Sequence, residues 1–360
     1  MKNKVIKTFK EANLNCLANL SPNCSSNIAL VKEYLSSCMN VIEDAHNSGG
    51  TGMEVAALRS IAIDSLISAL FDLAGREYCL RYAKADQVCT IVALGGYGRG
   101  ELSPASDIDL MFLYPWKVGS YAETVIERIL YILWDTGLDV GYSTRNISEC
   151  INASSDLVAK TSLIDSRYLC GDEPLFDEYQ KTVSQQIFSK NVETFINDKI
   201  YEAELRRKKY GDSVYILEPD IKEGDGGLRD LHTALWAAKV KFKVNDFKEL
   251  NLKGILSDKE HKEVAKAFEF MLRLRNEMHF TRKRKCEQLN FELQEKISRK
   301  FGYEDKDGIL AVEQMMKEYY LTANRIKELS GIIVERCLDK SVAKSLVKLI
   351  RQRDLSEGFK

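Results

Sequence analysis

Residues 91–114, IVALGGYGRGELSPASDIDLMFLY, constrain this chain more than any other stretch. An apolar run of β character, Val88 to Leu94, breaks at Gly95-Gly96. Ten residues, Tyr97 to Ser106, then lead to a second run that alternates acid with apolar: Asp107, Ile108, Asp109, Leu110. A strand repeats every two residues, so both aspartates share one face while Ile108 and Leu110 share the other. Paired carboxylates opposite a glycine turn make a place for a metal ion and a phosphate chain. Gly95 and Gly96 let backbone amides approach a phosphate closely, and a helix starting near Tyr97 would add its positive end. Asp107 and Asp109 are expected to hold Mg²⁺, one or two ions that bridge a nucleoside triphosphate. Asp139 is the expected third carboxylate and base toward an acceptor hydroxyl, with Asp165 as the runner-up.

Around this stretch the pattern predicts α+β architecture: a small mixed sheet flanked by helices, then a mostly helical region. A helix over Met53–Ala74 carries Leu58, Ala62, Leu66, Ala69, Leu70 and Leu73 on one stripe and is expected to stop at Gly75. Asp64 on that helix reads as a surface position. Strands are predicted at 88–94, 107–114 and 138–145, the last with Asp139, Gly141, Ser143 and Arg145 on one face. A helix over 121–135 should turn Ile126, Ile129, Leu133 and Trp134 inward, and another is predicted around Ser155–Cys170. Beyond residue 173 helical periodicity dominates, at 192–210, 228–243, 258–281, 290–300 and 309–337. One extended segment, Val214–Ile221, interrupts it before the turn Lys222-Glu223-Gly224-Asp225-Gly226-Gly227.

Composition narrows the function classes. With 52 Lys and Arg against 53 Asp and Glu, the net charge is −1, which argues against a general nucleic-acid coat. The basic runs at 206–209 and 282–285 have acids nearby and read as solvated helix faces. The N-terminal MKNKVIKTFK lacks an apolar signal region and no membrane-length apolar run occurs, so a cytoplasmic location is expected. Nine cysteines without a CxxC pair read as reduced thiols.

The order hydrophobic-Gly-Gly, short spacer, acid-hydrophobic-acid-hydrophobic resembles the nucleotidyltransferase superfamily of DNA polymerase β. A second stretch, EPDIKEGDGGLRD at 218–230, resembles the EPN-I-KEG-x-GGLRD segment of bacterial protein-PII uridylyltransferases, with Asp220 where Asn is commoner. GGYGRGELSPASDIDL, GLDVGYSTR at 137–145, Asp165-x-Arg167…Gly171-Asp172, Phe301-Gly302-Tyr303 and Tyr319-Tyr320 extend the likeness over most of 50–335. The resemblance implies a nucleotidyltransferase domain at 51–172 and a uridylyltransferase-type helical domain at 173–340. An N-terminal helical segment (1–50) would precede them, and 341–360 would begin a further region. It implies transfer of UMP from UTP to a tyrosine of the PII signal protein. Gly95 and Gly96 would cradle the triphosphate, Asp107 and Asp109 would bind metal, and Arg99, Lys222 and Arg229 would contact nucleotide. An ion-pair network of Glu218, Lys222, Arg229 and Asp230 that fixes the loop is the competing reading of that segment. With only four histidines and no His-Asp dipeptide, the hydrolase and sensor domains usual in that family are not expected here, and the chain reads as a fragment or short form. A nucleotidyltransferase acting on RNA or a small molecule, or a catalytically silent nucleotide-binding module, are the alternatives. The near-zero charge and the 218–230 segment speak against the first, the intact Asp-x-Asp against the second.

Overall fold

A computed structural model describes residues 17–82 and 88–339. The expectations for residues before 17 and for 341–360 lie outside the described residues. Two compact units divide the chain: the first reaches Ile187 and takes in Lys283–Lys285, and the second comprises Phe188–Arg282 and continues from Cys286.

In the first unit, α1 (Asn27–Asn47) precedes α2 (Gly52–Arg81). Thr51 starts α2 with a reciprocal cap, its hydroxyl accepting from the Glu54 amide at 3.1 Å while Glu54 Oε2 accepts from the Thr51 amide at 3.0 Å. The helix does not stop at Gly75. It continues to Arg81, and a Cβ at Gly75 would make only ordinary contact with the Tyr121 hydroxyl, 3.4 Å away. Leu66, Ile67 and Leu70 of α2 are fully buried, each contributing roughly 2 kcal/mol of apolar burial. Next come β1 (Thr90–Ala93), the single turn α3 (Gly95–Gly98), β2 (Ile108–Leu113), α4 (Ser120–Asp135), β3 (Val140–Arg145), α5 (Ile147–Ala153) and α6 (Leu157–Ile164). β4 (Arg167–Gly171), α7 (Glu173–Thr182) and a π turn (Val183–Ile187) complete the unit.

The sheet order is β3-β2-β1-β4. β1 is antiparallel to β2 and to β4, whereas β2 is parallel to β3, a pairing that needs a crossover and receives it from α4. β4 lies where the sequence predicts the end of a helix. The helix halts at Asp165, and Arg167–Gly171 pair along the second edge of β1, whose four residues are all fully buried and need that ladder. Trp134 also departs from expectation. It is 45% exposed and packs edge-on against Tyr131 and Tyr142, while Ile129 and Leu133 fill the core.

The second unit is helical: α8 (Val192–Tyr210), α9 (Leu228–Phe242), α10 (Phe247–Leu252), α11 (Asp258–Arg282), α12 (Phe291–Lys300) and α13 (Ala311–Leu338). Its core gathers Ile221, Leu231, Met271, Leu274, Ile297 and Tyr319. No described helix is long and apolar enough to cross a membrane.

Candidate active site

The site begins where β1 meets β2. The Leu94 amide donates to the Asp109 carbonyl at 3.0 Å, so the chain leaves β1 directly beside the acid. Asp109 is the one residue of β2 that is not buried. Its carboxylate lies between two positions that lack a side chain. A Cβ at Gly95, whose φ is +56°, would stand 3.0 Å from Asp109 Oδ2, and a Cβ at Gly141 would stand 2.8 Å from Oδ1. Gly141 is the register partner of Asp109 across the parallel pair. Gly95 thus serves both the left-handed backbone and the close approach.

The turn itself is anchored from below. Helix α3 starts at Gly95, two residues earlier than expected, and spans one turn only, so it supplies unpaired first-turn amides and little dipole. Tyr97 between the glycines is fully buried, and burial together with the Asp64 charge pushes its phenol well above the ordinary value. Arg167 of β4 donates to the carbonyls of Tyr97 (3.2 Å) and Gly98 (3.3 Å) and forms a bidentate pair with Asp64 at 2.9 and 3.0 Å. Asp64 is therefore not a free surface acid but the brace for the arginine that holds the turn.

Arg99 is turned inward. Its guanidinium binds Glu101 at 2.7 Å and the buried Asp165 at 2.6 Å. Burial alone would disfavour its charge, and the two carboxylates more than offset that. Asp165, the alternative third carboxylate, is thereby committed to Arg99. Asp139 is exposed and stands one residue before β3, its carbonyl accepting from the Ile108 amide at 2.9 Å. Continuing the β2–β3 register one step sets Asp139 opposite Asp107, on the face shared by Asp109 and Gly141. Asp107 itself is ion-paired with Lys285.

Two carboxylates suit Mg²⁺, which commonly takes one or two acids and completes its octahedron with water and substrate phosphates. Among the described residues no group of three or more His, Cys, Asp or Glu is placed to hold a metal, so a closed all-protein cage is not built there. The Lys285 ammonium at Asp107 Oδ2 shows that this oxygen is open to a cation. Asp107 and Asp109 therefore fit the hard, open site that the ion needs.

The 218–230 segment lies in the second unit and is a tightly folded loop. Asp220 Oδ1 accepts from the amides of Lys222 (3.0 Å) and Glu223 (2.7 Å). A Cβ at Gly224 would lie 2.5 Å from the Asp220 carbonyl oxygen, and one at Gly226 would lie 2.3 Å from that of Ala323. These glycines serve close packing. Arg229 pairs with Glu223 at 2.9 Å, and the buried Asp230 accepts from Arg206 at 2.6 Å and from the Gly226 amide at 2.9 Å. Arg207 and Lys327 hold Asp225, so the start of the 206–209 basic run fixes this loop. Glu218 accepts from the Phe291 amide at 2.9 Å at the head of α12.

Lys222 is the exception in its charge state. Burial, then repulsion from Arg275 and Arg229, brings its amine down from 10.5 to about 8. A folded value below the unfolded one makes the protonated amine a burden on the folded state below about pH 8, a burden relieved as pH rises from about 8 toward 10.5. Lys222→Met should therefore lose the part of the stability rise that wild type shows between pH 7.5 and 9.5, read as the difference between paired urea-unfolding curves. Parallel pH profiles for the two proteins would refute this.

Comparison with known proteins agrees with both units. The nucleotidyltransferase domain family matches residues 76–169, and the GlnD PII-uridylyltransferase family matches residues 194–334. The bifunctional uridylyltransferase/uridylyl-removing enzyme of Rhodospirillum rubrum is 38% identical over 317 residues, which cover 86% of this chain and 34% of that protein. The chain thus spans about a third of the length of that relative. The glycine turn, the Asp-x-Asp strand and the 218–230 loop fall inside the matched regions, and the chain carries a nucleotidyltransferase domain followed by a domain of the GlnD PII-uridylyltransferase family.

Proposed function

We propose that this chain moves UMP from UTP to a tyrosine hydroxyl of the PII nitrogen-regulatory signal protein and releases pyrophosphate. The observation that carries the reading is the setting of Asp109, the single half-exposed residue of a buried strand, between the side-chain-free positions Gly95 and Gly141. The likeness of 194–334 to PII-uridylyltransferases supports the choice of acceptor, and the name of the Rhodospirillum rubrum relative supports the choice of nucleotide.

Mg²⁺ held by Asp107 and Asp109 would neutralise the triphosphate and lower the pKa of the attacking hydroxyl. The first-turn amides at Gly95 and Gly96 would meet the phosphate chain, as peptide N–H groups do at other helix starts. The acceptor tyrosine oxygen forms a bond to the α-phosphorus while the bridge to the β-phosphate breaks, and pyrophosphate leaves with the electron pair. The hydroxyl proton passes to a carboxylate, for which Asp139 is the proposed acceptor. Arg99 acts as a brace for the turn through Glu101 and Asp165. Lys222 and Arg229, both paired with Glu223 at 4.0 and 2.9 Å, are the proposed nucleotide contacts from the 218–230 loop.

Incubation with α-labelled UTP, MgCl₂ and PII protein should place label on a PII tyrosine. Label on RNA or on a small molecule, with none on PII, would overturn the reading.

A further inference from the structure

We propose that Lys285 is an exchangeable counter-ion for the metal site: its ammonium neutralises Asp107 while no nucleotide is bound and moves to the phosphate chain when metal and triphosphate arrive. The inference rests on the nucleotidyl-transfer reading of Asp107 and Asp109 and deepens it.

The chain positions this lysine deliberately. Immediately after α11, Lys283 takes the left-handed conformation with φ +52°, which turns the backbone off the helix axis. The three residues 283–285 then group with the first unit. The basic run is divided in purpose. Arg282 is held by Glu292 at 2.7 Å and by Asn290, Lys283 and Arg284 are exposed, and Lys285 alone of the four is ion-paired with Asp107.

The pair is built to be broken. Both side chains keep solvent access, 45% for Lys285 and 35% for Asp107. An exposed pair of this kind shifts an equilibrium by about fivefold at most. A divalent ion delivering two charges to the same carboxylate displaces it, and like-charge repulsion then drives the ammonium from the metal. Lysine suits the move, because its ammonium is a point charge on a flexible four-carbon stem that donates to phosphate without a fixed geometry. The same residue would thus keep Asp107 neutralised in the empty site and count toward triphosphate affinity in the filled one.

The test uses the whole chain and needs no acceptor. Mn²⁺ binding to nucleotide-free protein is read by electron paramagnetic resonance, and UTP binding in the presence of Ca²⁺ by calorimetry. Lys285→Ala should bind Mn²⁺ about two- to fivefold more tightly, because a competitor is gone. It should bind UTP about tenfold more weakly, because a phosphate partner is gone. Lys285→Arg should restore the UTP affinity, and Arg284→Ala should change neither quantity. Unchanged or weakened Mn²⁺ binding in Lys285→Ala overturns the proposal, as does unchanged UTP affinity. Both shifts appearing in a protein that never labels PII would support the counter-ion role while refuting the acceptor assignment.

Discussion

Asp109→Asn is expected to lower nucleotidyl transfer by about a thousandfold, the scale of several kcal/mol that a metal ligand contributes to charge stabilisation. Stability should stay within about 1 kcal/mol of wild type, since the site is half-exposed and the amide has the shape of the carboxylate. The two effects separate because the substitution removes a charge and almost no volume from Asp109. Its oxygens face the positions where Gly95 and Gly141 have no side chain. Asp107→Asn should act in the same direction, and it should also release Lys285. Parallel urea denaturation and transfer assays check both. A variant that unfolds, or one that keeps more than a tenth of its activity, would contradict the assignment.

Gly98→Ala is expected to damage the fold itself. A Cβ at residue 98 would lie 1.7 Å from the Asp165 carbonyl oxygen and 2.9 Å from that of Ala93. Neither is the end of a flexible side chain, so β1, α3 and the segment leading into β4 must separate. The expected loss exceeds ~3 kcal/mol, the range of severe overpacking and strain. Gly100→Ala is the control two residues away. It carries φ +72° but meets nothing within 4 Å, so only the conformational cost of ~1 kcal/mol remains. Thermal unfolding of the two variants should differ by many degrees, and similar midpoints would show that the turn is not packed as described.

The legibility of this chain follows from how local each signal is. The glycine turn, the Asp-x-Asp alternation and the five long helices of the second unit are written in adjacent residues, and all stand where periodicity predicts. β4 is hidden because Arg167–Gly171 directly follow a helical apolar pattern, and only the open edge of the buried β1 makes them a strand. Gly75 reads as a stop, whereas α2 runs on to Arg81 with Tyr78 of its last turns packed on Tyr121 of another helix. The supports of the site are distant in the same way. Asp64 meets Arg167 across 103 positions, and Lys285 meets Asp107 across 178. Arg99 shows the converse: proximity to the glycines suggests a phosphate contact, while its carboxylate partner Asp165 comes from 66 positions away. The glycine turn and the Asp-x-Asp strand are therefore readable in adjacent residues, and the distant residues that brace them are not.

The most direct test is the intact mass of PII after incubation with the chain, MgCl₂ and each of the four ribonucleoside triphosphates in turn. The expected result is addition of one UMP per acceptor tyrosine with UTP, no addition with ATP, CTP or GTP, and none with UTP once Asp109 is replaced by asparagine. An unmodified PII with UTP, or an adduct that persists in Asp109→Asn, would contradict it.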